Sequence, residues 1–177
     1  MTLTIREFWT VFHGMFFGAV FLVALAGGLV GLYRLRPANV TAAGLRKRAW
    51  RLKWSTGVTA VVAWLLVISG TYIVYPWYRA APPEGLTDLS AYPRSFLKAD
   101  PALSILHTFG MEWKEHVAWF APILATTVFY IVLKYGPRLS QNDRLRKMAI
   151  VLFILAFAAA GIAGVLGGLI SDAAPVM

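Results

Sequence analysis

His13, His107 and His116 are the only histidines in the chain, and the last stands in the stretch Glu112-Trp113-Lys114-Glu115-His116, directly before an apolar run. A neutral imidazole can ligate a metal, and near neutral pH it can take up and release a proton. Glu112, Lys114 and Glu115 beside it are side chains that can receive and pass protons. Cysteine is absent, which excludes thiolate-held iron–sulfur clusters, covalent CxxCH attachment, disulfides and thiol nucleophiles. A cofactor would therefore be held by histidine, methionine, carboxylate or backbone. Which chemistry is open depends on whether two histidines lie at one depth on different elements.

The elements follow from composition. Of 177 residues 59% are hydrophobic and 14% charged, and the mean hydropathy is +0.65. Soluble domains run at about 45–50% apolar and about 25% charged. The excess lies in four apolar stretches, residues 8–33, 58–75, 117–133 and 149–170. Each is near the ~20 residues that cross a ~30 Å hydrocarbon core. With interfacial flanks the spans are expected over about 7–34, 54–76, 113–135 and 147–170, giving a single all-α membrane domain over residues 1–177, an integral four-helix bundle. The first stretch lacks the basic start of a signal peptide, because Glu7 offsets Arg6, and its apolar run is too long. It is expected to be a retained helix.

Charge orients the bundle. The connections after spans one and three hold twelve basic residues and one acid, Asp143. Everything else outside the spans holds five basic and seven acidic residues. This positive-inside pattern predicts both termini and the 79–112 connection on the outer side and two basic loops in the cytoplasm. It also accounts for the +9 net charge without nucleic acid, and it suits anionic lipid headgroups. Thr4-Ile5-Arg6-Glu7 reads as a capping box. Arg36-Pro37, Tyr75-Pro76 and Gly136-Pro137 read as helix stops. Within 79–112, the prolines at 82, 83 and 93 predict an extended lid, and Asp100-Pro101 predicts a short helix from Pro101 towards Phe109, either ending there or running on into the third span.

In this frame all three histidines share the outer side. His13 lies ~7 Å inside the edge of the first span and His116 ~5 Å inside the third, at ~1.5 Å per residue. His107 precedes His116 by nine residues, about 900° on a straight helix and so on the opposite face. His13 and His116 are therefore the expected pair, with His107 as the alternative ligand. Two imidazoles from two helices at one depth suit the axial positions of one haem b. Small residues that could lie against a macrocycle are Gly14 and Gly18 beside His13, and Gly161, Gly164 and Gly168 on the last span. Trp9, Phe12, Phe16, Phe17, Trp119 and Phe120 could surround its edge. The same glycines equally suit close helix packing. Glu112, Lys114 and Glu115 are expected at the water boundary, as a quinone or proton site or as a capping network.

The arrangement resembles the small four-helix membrane cytochromes b, which anchor redox enzymes or pass electrons between quinone and a partner subunit. The resemblance covers all four spans and is architectural, without a diagnostic motif. It implies a non-catalytic electron-transfer subunit of the bacterial inner (cytoplasmic) membrane, with other subunits of a redox complex or an external cytochrome as partners. Such proteins often carry four histidines and two haems, whereas this chain can supply one pair, which implies one haem in the outer leaflet. The competing reading is a haem-free accessory or anchoring subunit of a larger respiratory or photosynthetic complex. A transporter is disfavoured, since no span carries an ionisable residue near its middle.

Overall fold

The computed structural model describes residues 3–36 and 41–175 and is helical throughout its regular parts. Four helices are long and apolar enough to cross a membrane: α1 Ile5–Arg34, α2 Ala42–Tyr78, α4 Leu106–Gln141 and α5 Asp143–Ala173. The short α3, Pro93–Ala99, lies between the second and third of these. The chain is thus an integral multi-pass membrane protein whose long helices offer exposed apolar side chains to lipid.

The start of α1 follows its sequence signal: Thr4 N–H donates to Glu7 Oε2 at 2.7 Å and Glu7 N–H to Thr4 Oγ1 at 3.2 Å. Pro37, expected to stop α1, lies outside the described residues. Helix α2 begins at Ala42, well before the membrane span expected from about residue 54. Thr41 caps it by accepting the Gly44 N–H at 3.1 Å. The basic stretch is helical because Ala49, Leu52 and Thr56 recur at i, i+3 and i+7 and are buried. Lysine and arginine on the other faces are good helix formers. Hydropathy alone hid this start.

The helix expected from Pro101 runs on into the third long helix, the continuation that the sequence left open. Asp100 does cap a turn, with Oδ1 accepting Ala102 N–H at 2.8 Å and its carbonyl accepting Ser104 N–H at 2.9 Å. That turn leads straight into α4. The independent helix is α3, started by Pro93 at its first turn.

Contacts divide the chain into two compact units. The hairpin unit comprises Ala19–Trp64 and Phe120–Ala159. Its helices approach through glycine: a Cβ at Gly27 would lie 2.7 Å from Ser55 Oγ, at Gly28 2.5 Å from the Phe153 ring, and at Gly31 3.0 Å from Leu52. Gly27 and Gly31 at i, i+4 form the small-xxx-small seam of membrane helix pairs. Polar groups here bond back to backbone. Thr56 Oγ1 donates to Leu52 O at 2.9 Å and Ser55 Oγ to Ala24 O at 2.8 Å. Arg146, 4% exposed, donates to Leu35 O at 2.9 Å and pairs with Asp143.

The terminal unit comprises Met1–Gly18, Leu65–Trp119 and Ala160–Met177. Its core is Tyr78, Leu97, Met111, Ile170 and Ala174, with Phe96, Leu103 and Leu106 packed on it. This places α3 on the ends of the long helices and holds the connection down.

Candidate functional site

The terminal unit contains four π-helical segments: Phe12–Phe17 in α1, Gly70–Val74 in α2, and Leu106–Met111 and Trp113–Val117 in α4. Backbone bonds reach one residue further than in an α-helix, as where Tyr75 N–H bonds Gly70 O and Ala118 N–H bonds Trp113 O at 3.1 Å. Such turns re-aim side chains and are frequent at functional sites. All three histidines and Lys114 stand on them. The opposite-face phase of about 180° that separates His107 from His116 on a straight helix therefore does not apply between them.

His13 reaches across to α2. Its Nδ1 lies 2.9 Å from Ser69 Oγ, and that hydroxyl spends its proton on Leu65 O at 2.6 Å. With one O–H, Ser69 must accept from His13, so Nδ1 carries the hydrogen and the neutral ring leaves its lone pair on Nε2. Gly70 makes room for this ring: a Cβ there would lie 2.8 Å from Cε1 and 3.2 Å from Nε2. Lys114 lies within electrostatic reach of the same imidazole. Its ammonium sits in the notch of Gly167, where a Cβ would come within 2.5 Å of Nζ.

A second polar chain runs from Arg79 through Tyr75 to Glu115. Arg79 donates to the Tyr75 hydroxyl at 3.1 Å, and the Glu115 carboxylate lies close enough to act on that hydroxyl electrostatically. A third joins the buried Tyr78 hydroxyl to His107 Nδ1 at 2.9 Å, with Arg94 close enough to act on both electrostatically.

His116 stands apart from these groups. Its side chain is 70% exposed, and Nδ1 is 3.0 Å from the Glu112 carbonyl and 3.4 Å from its carboxylate. Donation to a carbonyl again puts the hydrogen on Nδ1 and leaves Nε2 open. The expected residues therefore divide. His13 and Lys114 come together, Glu115 joins Tyr75, and Glu112 and His116 form an exposed pair. A Cβ at Gly14, Gly18, Gly164 or Gly168 would meet nothing within 4 Å. Gly14, Gly164 and Gly168 are exposed, while Gly161 is half-buried. Of the expected edge aromatics, Phe12 and Phe16 stack at 4.7 Å, continuing from Phe8 at 5.5 Å.

Ser69 and Gly70 escaped the sequence reading, in which Tyr75, Tyr78 and Arg79 are only a helix end and Gly167 only one of the small residues of the last span. The Ser69-Gly70 pair inside an apolar helix was a usable signal, since such pairs mark irregular turns. No group of three or more His, Cys, Asp or Glu able to hold a metal ion occurs among the described residues. A haem needs only two axial donors, and His13 and His116 each have Nδ1 engaged, which leaves Nε2 the nitrogen free to bind a metal. The chain matches no protein-family model, no curated protein and no solved structure.

Proposed function

We propose that the chain is a non-catalytic electron-transfer subunit of a membrane redox complex, holding one haem b on His13 and His116 and exchanging electrons between a quinone and a partner redox protein. The observation that carries this reading is the tautomer shared by two imidazoles on different helices of one unit, each fixed through Nδ1. When bound, the group would supply reversible one-electron transfer. Ser69 orients His13, the Glu112 carbonyl orients His116, and Gly70 keeps the first ring free of a colliding side chain. The open space beside Gly14, Gly18, Gly164 and Gly168 suits a flat ligand. The Arg79–Tyr75–Glu115 chain, with Glu112 and Lys114 nearby in sequence, is suited to accept a proton released by a quinol.

The 12-to-1 charge count supports termini and the 79–112 connection facing outward in a bacterial inner membrane. Cysteines introduced at Thr41 and Ser90 should then react with an impermeant thiol reagent from opposite sides. Labelling of both from one side would overturn that orientation.

The test of the haem is a reduced-minus-oxidised visible spectrum of the purified protein. A low-spin b-type spectrum is expected, lost or turned high-spin in His13→Ala and His116→Ala and largely kept in His107→Ala. A spectrum that depends on His107 instead of His116 would move the second ligand. A haem-free protein would leave the accessory or anchoring subunit as the reading.

A further inference from the structure

The hairpin unit carries a groove of about 280 Å³ that plays no part in the polar cluster above. One wall is α2, where Arg46, Ala49, Trp50 and Lys53 stand at i, i+3, i+4 and i+7 on a single helix face. The other wall is α4, through Val132 and Leu133, closed by the turn at Gly136. That turn depends on glycine, because its φ is +48°.

Several cations of this unit are committed internally. Arg48 donates to Arg34 O at 3.0 Å, Lys147 pairs with Asp143 at 2.8 Å, and Arg36 lies 4.9 Å over the Tyr33 ring. Lys134 lies 5.6 Å from the Tyr130 ring and 5.9 Å from that of Tyr135. Arg46 and Lys53 are exposed, and their side chains make no hydrogen bond or ion pair among the described residues. No acidic residue lines the groove.

We propose that this groove is a binding site for one anionic phospholipid, with its phosphate held by Arg46 and Lys53 and an acyl chain along Val132 and Leu133. Two cations two turns apart, ~10 Å along the axis, can close on a headgroup from both sides. The apolar wall would be of no use to a free phosphate ion. Trp50, paired with Trp54 at 6.1 Å, is the residue type that sits at headgroup level. Basic pockets between membrane helices recur as anionic-headgroup sites. This inference is independent of the haem and of its ligands.

The whole chain, delipidated in a neutral detergent, is titrated with phosphatidylglycerol or phosphatidylcholine, and bound lipid is counted by native mass spectrometry. Phosphatidylglycerol should be preferred by roughly tenfold or more, as expected if each cation near a headgroup contributes. The Arg46→Gln/Lys53→Gln variant should abolish the preference. The Lys47→Gln/Arg51→Gln variant removes the same charge from a neighbouring face and should keep it. Ala49→Leu, which fills the groove with both cations in place, should weaken binding of the same lipid. Inorganic phosphate should not compete. Equal loss in the two charge variants, no preference in the unaltered protein, or displacement of lipid by phosphate would each overturn the site.

Discussion

In the hairpin unit, Gly27 and Gly28 face a hydroxyl and a ring at distances no Cβ could occupy, and hydroxyls return their hydrogen to the backbone. Gly70 and Gly167 of the terminal unit are as tight, but against the His13 ring and the Lys114 ammonium. In the terminal unit, Gly14, Gly18, Gly164 and Gly168 face nothing, and hydroxyls and imidazoles are bonded to one another. The four π segments all fall in this second unit. Close packing of small residues is how membrane helices associate where lipid supplies no hydrophobic drive between them. A unit that gives up regular helix geometry and buries titratable groups spends stability in a way that sites do. On the function proposed above, the contrast gives packing to the hairpin unit and chemistry to the terminal one, and it can be broken by substitution.

The largest effect is expected from Gly28→Leu. Even a Cβ would lie 2.5 Å from a Phe153 ring that is itself fully buried, so overpacking should cost about 1–3 kcal/mol or more, read as a lower midpoint of unfolding in mixed micelles. Gly164→Leu is the partner experiment. With nothing within 4 Å, it should leave the midpoint within about 0.5 kcal/mol while lowering haem occupancy. Equal destabilisation by both would dissolve the distinction between packing glycines and site glycines.

Arg146→Met should come next. Its guanidinium is the donor to the Leu35 carbonyl at the end of α1, and a buried acceptor left without a donor costs about 1–3 kcal/mol. Ser69→Ala should cost about 1 kcal/mol and leave the bulk fold intact. Its specific signature lies in His13, whose Nδ1 loses its acceptor, so the nitrogen chemical shifts of that ring should change. Shifts identical to the unaltered protein would remove Ser69 from its orienting role.

How far the sequence carried these features depended on the kind of force behind each. The four spans were legible because burial in lipid needs long apolar runs, and the Thr4–Glu7 box because its two hydrogen bonds are local. The early start of α2 was hidden because Ala49 and Leu52 are sparse among cations. Helix α3 was missed because its burial of Leu97 depends on Tyr78, Met111 and Ile170, far away in the chain. Near the site, the histidines and Lys114 stood out by type. Their partners did not, because π turns shift helix phase and, the Ser69-Gly70 pair apart, no residue pattern announces them. Ser69 could meet His13, 56 residues earlier, only once two helices were packed.

The smallest effect sharpens the comparison at the rim of the terminal unit, in the connection ahead of α3. Asp88 accepts the Ser90 N–H through Oδ1 at 3.0 Å. That backbone bond, then the Ser90 hydroxyl, hold its pKa below the ordinary value of 3.8. A carboxyl lowered in the folded state stabilises above its unfolded pKa and loses that contribution as pH falls through the folded one. The Ser90 amide shift should therefore titrate with a midpoint below 3.8, with no such titration in Asp88→Asn. Because the carboxylate is exposed, the midpoint of global unfolding should not follow. A Ser90 titration centred above the ordinary carboxyl value would mean that the turn is not held by this bond. The connection would then depend on α3 packing alone.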